Sequence, residues 1–173
     1  DGLYRDWIMF KDEYYNDFYK FLADCVKKYS DIPVHLKTVF IWGYSNRCTF
    51  GADPELIAEF SDYNGNDCWG FYNGKSGYGM ATKHMWYEFL KSVKDIPILN
   101  SEDHIVVDKN TTFNENHTQQ IVADIWQGAV HGRDGTAIWL WERSNNKDSL
   151  DYGNIRYMPD AVAAAGKTAL DMN

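Results

Sequence analysis

The feature that most constrains the fold of this chain is its alternation of short apolar runs with longer amphipathic segments. Apolar residues at three- and four-residue steps predict helices, and their segments are residues 7–28, 54–60, 78–94, 121–130 and 159–170. Short runs rich in β-branched and aromatic residues predict strands, and these are residues 34–42, 67–72, 96–101 and 136–141. Regular alternation of this kind predicts an α/β fold in which parallel strands are joined by crossover helices.

Four parallel strands alone leave two architectures open. A parallel sheet is normally covered on both faces, so the chain is either doubly wound or forms about half of a closed barrel. Large aromatic or acidic residues end all four strands, and in a β/α barrel these ends form the active-site face; the residues are Trp42, Tyr72, Glu102 and Trp141. The sequence therefore predicts a single α/β domain of (β/α)8 TIM-barrel type over residues 1–173, incomplete and covering about the last four β/α units.

The composition narrows the class of partner. The chain carries a formal net charge of −8 and has a pI near 5.0, whereas a nucleic-acid surface needs clustered Lys and Arg. No stretch approaches the roughly 20 apolar residues of a membrane span. The many Trp and Tyr side chains offer flat faces for sugar rings as well as material for a dense core. We therefore expect a neutral small substrate, and neither nucleic acid nor a membrane as partner.

The cysteines and glycines give no sign of a cofactor. Cys25, Cys48 and Cys68 are odd in number and show no C-x-x-C pairing, so we expect reduced thiols rather than a disulfide framework or a zinc site. No G-x-G-x-x-G or phosphate-binding loop follows a predicted strand, which disfavours nucleotide chemistry in a doubly wound domain. The expected site uses no metal and no organic cofactor.

Glu102 is the leading candidate for a catalytic residue. It follows a short apolar run and lies at the C-terminal end of its predicted strand, where a barrel presents reactive groups. Period-two alternation predicts that Ile98, Asn100 and Glu102 share one face of this strand, with Asp103 on the other. A helix cap or a loop carboxylate is the structural alternative for Glu102.

Three segments around Glu102 carry a resemblance to a known family. They read Asn-Ser-Glu-Asp-His-Ile at residues 100–105, Ile-Trp-Gln-Gly-Ala-Val-His-Gly at 125–132 and Ile-Trp-Leu-Trp-Glu-Arg at 138–143. In order and spacing they resemble the C-terminal half of the catalytic barrel of β-galactosidase-like glycoside hydrolases, close to family 42, and the resemblance covers nearly the whole chain. It implies that the four strands are the fifth to eighth of the barrel. It also implies that Glu102, at the end of the seventh, is the nucleophile of a retaining β-glycosidase.

Retaining hydrolysis needs two carboxyl groups, and the resemblance assigns only the nucleophile to a residue of this chain. Such enzymes carry the acid/base Glu at the end of the fourth strand, usually in an Asn-Glu pair, and the pair in this chain, Asn114-Glu115, follows Glu102 instead. We therefore expect the acid/base Glu upstream of residue 1, and as partner either the N-terminal half of the barrel or another copy of the chain. Glu142 is the alternative within the chain, although its neighbour Arg143 favours an ion pair at the rim.

The resemblance also implies how a sugar is held. A Trp after the eighth strand forms a platform under the sugar in such enzymes. Trp139 and Trp141 share one predicted strand face, and Trp141 is the favoured platform. The complete predicted site has Glu102 as catalytic residue and the following side chains for an oligosaccharide or β-glycoside substrate: Trp42, Tyr72, Asn100, His104, Trp139, Trp141 and Glu142.

A different class of function is also compatible with the sequence. A non-catalytic carbohydrate-binding module, or a pseudo-enzyme barrel module, would keep the aromatic pocket and lack the acid. Core packing is the structural alternative for each aromatic residue. The two functions differ in one feature, which is whether a second carboxylate faces Glu102 across the sugar.

Overall fold

The computed structural model of the chain describes residues 2–38, 51–69, 78–105, 115–141 and 155–172. The helices in these ranges are α1 Gly2–Lys27, α2 Pro54–Phe60, α3 Tyr78–Val93, α4 Glu115–Val130 and α5 Pro159–Asp171, with a 3₁₀ turn at Ile155–Tyr157. The strands are β1 Asn64–Trp69, β2 Ile98–His104 and β3 Gly135–Ile138. None of the helices in the described part of the chain is long and apolar enough to cross a membrane.

The described sheet is parallel and its strands lie in sequence order, β1-β2-β3. The described part of the first predicted strand, residues 34–38, is not itself a strand. It runs beside β1 in the same direction, because Val34 O accepts from Asp62 N at 2.9 Å and Thr38 O accepts from Asp67 N at 2.6 Å. A doubly wound sheet reverses its strand order at a switch point. The described strands keep their sequence order across the sheet, so no such reversal occurs among them.

The five predicted helices and three of the four predicted strands are found, mostly with shifted ends. Residues 39–42 and 70–72, which end the first two predicted strands, lie outside the described residues. β1 begins at Asn64, earlier than predicted, although Asn64 has a low strand propensity. A tertiary contact holds it in place: the buried Asn64 side chain donates from Nδ2 to the carbonyl oxygens of Leu90 at 2.9 Å and Lys94 at 2.8 Å, at the end of α3. β3 is shorter than predicted and ends at Ile138.

Helix ends follow the local sequence. Asp53 caps α2, since its Oδ1 accepts from the Glu55 N–H at 2.9 Å and Pro54 occupies the first turn. Gly132 has a φ of +89° just after α4, and its N–H donates to Ala129 O at 3.1 Å. Gly132 therefore caps α4 at its C-terminal end, because only glycine adopts such a φ without steric cost.

β2 contains a β-bulge at Ser101. Asn66 pairs with Asn100 whereas the next residue, Asp67, pairs with Glu102, so β2 has one extra residue between the two pairs. The pairing with β3 shows the same shift between Asn100 and Asp103. A bulge reverses the alternation of side chains beyond it.

The bulge corrects one prediction about β2. Asn100 faces the helices and donates from Nδ2 to the Tyr87 hydroxyl of α3 at 3.0 Å, whereas Glu102 lies on the opposite face. The expectation that Asn100 and Glu102 share a face is therefore wrong, because period-two alternation assumes an unbroken ladder. Asp103 does lie on the face opposite Glu102, as predicted.

A buried cluster of charges joins β2 to the helices. Asp103 is 0% exposed and accepts from Lys83 Nζ at 2.5 Å, from Arg133 at 2.6 Å and from the Thr136 hydroxyl at 2.6 Å. Lys83 also donates to Asp124 of α4 at 2.7 Å. Burial alone would lower the pKa of Lys83, but Asp103 and Asp124 outweigh it and raise that pKa. The cluster holds two positive and two negative groups, so it is balanced.

Apolar contacts complete the helix side of the sheet. Tyr87 and Leu90 of α3 pack with Ile98 of β2 and Ile57 of α2. A second cluster joins α4 and α5 through Ile121, Ile125, Ile155, Met158, Ala161, Ala164 and Ala165. Together the two clusters cover the same face of the sheet as the buried charges do.

α1 packs with its polar side and exposes its apolar side. Lys11, Asp12, Asn16 and Ala23 are its buried residues, and Asn16 Nδ2 donates to Gly51 O at 3.2 Å. The residues of the predicted amphipathic stripe are largely exposed: Trp7, Phe10, Tyr14, Phe18, Phe21, Leu22 and Cys25. The predicted amphipathic helix is thus present, with its apolar stripe facing away from the described core.

Replacement of Lys83 by Met is expected to destabilise the fold strongly. The change keeps the side-chain length but leaves Asp103 and Asp124 with a net negative charge in a buried site, which typically costs about 3 to 5 kcal/mol. Urea unfolding followed by circular dichroism measures the loss. Lys20→Met is the matched control, since Lys20 pairs with Asp24 on the exposed surface of α1. Equal unfolding free energies for the two variants would contradict the role of the cluster.

Candidate functional site

The bulge in β2 turns Glu102 toward the face of the sheet opposite the helices. There Glu102 Oε2 accepts from Lys37 Nζ, and Glu102 Oε1 accepts from His104 Nε2 at 3.0 Å. Lys37 belongs to the segment that runs beside β1, and His104 ends β2. The Glu102 side chain is 12% exposed and that of Lys37 is 45% exposed. Both oxygens of one carboxylate are thus held by donors at the C-terminal end of a strand.

Asp67 of β1 joins this group through strand pairing. It is the register partner of Glu102, and its Oδ1 lies 3.8 Å from His104 Nε2. Sequence reasoning missed Asp67 and Lys37, because neither follows a family motif. Their signal is available only once the parallel register is known, since register decides which strand-end residues are neighbours.

His35 contacts the β-bulge of β2 at Ser101. His35 Nε2 lies 2.9 Å from the Ser101 hydroxyl, and burial lowers the pKa of His35. A Cβ added at Gly65 would overlap both the His35 ring and the Leu99 carbonyl oxygen. Glycine at position 65 therefore allows the first segment to approach β2 across β1.

The surroundings of Glu102 favour its ionised form. Burial by itself would raise the pKa of Glu102, but the hydrogen bonds and positive charge of Lys37 and His104 outweigh burial and hold that pKa below its ordinary value. Glu102 is therefore a carboxylate at neutral pH. This is the protonation state of a nucleophile rather than of a general acid.

The two tryptophans after β3 lie on different sides. Trp139 stacks on His104 with ring centroids 5.6 Å apart and an interplanar angle of 23°, next to Glu102. Trp141 is 60% exposed and lines a separate apolar groove of about 400 Å³ with residues of α4 and α5, Ile125 and Val162 among them. The expectation that both share a strand face is wrong, because β3 ends at Ile138 and its alternation ends there. The Trp139-Leu140 peptide bond is cis.

The structure brings together part of the predicted site. Glu102, His104 and Trp139 form one group, whereas Asn100 lies on the helix side of the sheet and Trp141 lies in the apolar groove. The other predicted residues lie outside the described residues: Trp42, Tyr72 and Glu142.

The Lys37 ammonium pairs with one of the two carboxylates in this site. One oxygen or nitrogen atom from each of Asp67, Glu102 and His104 lies within 4.8 Å of the other two, a spacing that a divalent cation could span. The Lys37 ammonium already pairs with the Glu102 carboxylate, however, and occupies the electrostatic position that a cation would take. The arrangement is that of a positioned, ionised carboxylate, and we assign no metal to it.

Comparison with solved structures finds the same fold within a larger enzyme. The apo crystal structure of an exo-carrageenase of glycoside hydrolase family 42 from Bacteroides ovatus matches 99% of this chain with a TM-score of 0.81 and 22% sequence identity. The chain spans 26% of the length of that enzyme. No protein-family model and no curated protein sequence matches the chain. The chain therefore has a glycosidase-like α/β fold, and this likeness concerns the fold alone.

Acidification is expected to remove a stabilising contribution of Glu102. Its folded-state pKa lies below the ordinary value of 4.5, so the contribution is fully present above about pH 4.5 and is lost as the pH falls through the lower folded-state value. Urea unfolding of the wild type and of Glu102→Gln between about pH 7 and pH 3 measures this contribution as their difference. Lys37→Met should lose the part of this contribution that comes from Lys37 and keep the part that comes from His104. A difference that is constant over the whole range would argue against the ion pair.

Proposed function

We propose that this chain forms part of a retaining β-glycosidase of the β-galactosidase-like type, with Glu102 as its nucleophile. The observation that carries the proposal is the Glu102 carboxylate, held ionised by donors on both oxygens at the C-terminal end of a parallel strand. The fold likeness to a family 42 glycoside hydrolase and the motif around Glu102 support the same class. On this proposal the described sheet is part of a (β/α)8 barrel, and β2 is its seventh strand.

The proposed reaction is a double displacement. Glu102 attacks the anomeric carbon while the glycosidic oxygen leaves with a proton from a second carboxylic acid, which gives a covalent glycosyl-enzyme. Water then attacks the same carbon, the second carboxylate takes the water proton, and Glu102 leaves. Two inversions retain the β configuration. The proposal requires no metal or organic cofactor.

The second carboxylate is proposed to come from outside the described residues. Retaining hydrolysis places the two carboxyl groups about 5 to 5.5 Å apart, across the sugar from each other. Asp67 lies close to Glu102 but on the neighbouring strand in direct register, where it is buried against His104. It lies beside the nucleophile rather than across the sugar. We therefore assign Asp67 to the support of His104 and propose the acid/base Glu in a further barrel half.

The exposed apolar residues of α1 support the proposal that a further barrel half binds this chain. A contiguous stripe of aromatic and aliphatic side chains on one surface is the usual mark of a protein interface. We propose that the N-terminal half of the barrel covers this stripe and closes the sheet. A second copy of the chain is the alternative source of the missing half.

A non-catalytic carbohydrate-binding module is the second candidate function. The observation that favours it is the position of Asp67, the carboxylate found near Glu102 in the described part of the chain, which lies in direct register on the neighbouring strand. The two candidates make opposite predictions for a mechanism-based label, because a pseudo-enzyme forms no covalent intermediate.

We expect a 2-deoxy-2-fluoro β-galactoside with an activated leaving group to label Glu102 in the complete gene product. The activated group departs without protonation, so the first step depends on the nucleophile rather than on the acid. Mass spectrometry of the peptide that contains residues 98–104 detects the ester. Glu102→Gln should abolish the label, and Glu59→Gln on the exposed surface of α2 should retain it. A label on Asp67 would move the nucleophile, and the absence of any label would favour the binding module.

We expect Trp139→Ala to weaken sugar binding more than Trp141→Ala does. Trp139 flanks His104 beside Glu102, whereas Trp141 lies in the groove of α4 and α5. Loss of an aromatic stacking contact should reduce kcat/KM by an amount worth about 1 kcal/mol in transition-state binding. Steady-state kinetics of both folded variants with a nitrophenyl β-galactoside test this order. A larger loss for Trp141→Ala would restore Trp141 as the platform.

A further inference from the structure

Lys37 contacts Glu102, the proposed nucleophile, and lies in the segment beside β1, where the sequence shows no family motif. Its Nζ donates to Glu102 Oε2, while His104 Nε2 donates to the other oxygen. The Lys37 side chain is 45% exposed, whereas that of Glu102 is 12% exposed. The ion pair exists only while Glu102 carries its charge.

The charge of Glu102 changes during each half of the proposed reaction. In the first half a lone pair of Glu102 forms the bond to the anomeric carbon, and the carboxylate becomes a neutral ester. In the second half the oxygen of water bonds to that carbon as the bond to Glu102 breaks. The bonding pair returns to Glu102 as a carboxylate, and the water proton goes to the second carboxylate.

A fixed cation beside Glu102 affects these two halves in opposite directions. It stabilises the free carboxylate more than the ester, so it opposes the first half and assists the second, where negative charge grows on Glu102. We propose that Lys37 is a positioning residue that speeds release of the glycosyl group by making Glu102 a better leaving group. This inference rests on the proposed glycosidase function.

The kinetic consequence of removing Lys37 is specific. If release slows while attack does not, the glycosyl-enzyme accumulates, so kcat and KM fall together and kcat/KM changes little for an activated substrate. A general structural defect lowers kcat/KM instead. Loss of a charge-assisted hydrogen bond to the leaving carboxylate should slow release on the order of tenfold.

The test uses the complete gene product and its Lys37→Met variant. Both are labelled with the activated 2-deoxy-2-fluoro β-galactoside, freed of excess reagent, and followed for recovery of activity in buffer. We expect the variant to recover on the order of tenfold more slowly than the wild type. Lys37→Arg should restore most of the recovery rate, because it keeps the positive charge. Lys20→Met, which removes an exposed ion pair on α1, is the matched control and should recover at the wild-type rate.

The outcomes separate this inference from the proposed function. Without any label in the wild type, the glycosidase proposal itself fails, and a label on a residue other than Glu102 overturns the inference. With labels on both proteins and equal recovery rates, Lys37 has no part in release and only the inference is overturned. A Lys37→Met variant whose kcat/KM falls at unchanged KM would also overturn it. If Lys37→Met does not fold, Lys37→Gln, which keeps a polar contact without the charge, should give the same slow recovery, and a wild-type rate there would overturn the inference.

Discussion

The buried charge cluster around Asp103 is the interaction on which the rest of the described structure depends. Lys83 from α3 and Arg133 from the turn after α4 both reach Asp103, and Thr136 binds it from β3. An unpaired buried charge is strongly destabilising, so the folded structure needs all of these partners in contact. The cluster therefore fixes where two helices and two strands meet.

The bulge beside this cluster decides how the site is built. One extra residue at Ser101 lets Asn100 and Asp103 both face the helices while Glu102 faces the other way. Neighbouring carboxylates consequently have different partners. Asp103 is enclosed by cations and a hydroxyl and holds the fold together, whereas Glu102 keeps partial exposure and two donors on an open face. A structural acid and a reactive acid can thus be adjacent in sequence.

Two apolar surfaces of the described structure are exposed. α1 buries polar residues and exposes aromatic ones, and Trp141 lines an open apolar groove along α4 and α5. The likeness to a much longer family 42 enzyme concerns a region of this size. Exposed apolar surface of this extent normally contacts another polypeptide segment, and the proposed barrel half would supply one.

The sequence by itself determined the order of the five helices and of three strands, their parallel arrangement and the position of Glu102 near a strand end. These follow from local periodicity and turn chemistry, which act over a few residues. Only the tertiary structure decided that Lys37, Asp67 and His104 surround Glu102, that Asn100 faces the helices and that Trp139 rather than Trp141 lies beside the site. Strand register and a single bulge control these choices, and both depend on contacts between residues far apart in the chain. No local pattern records such contacts.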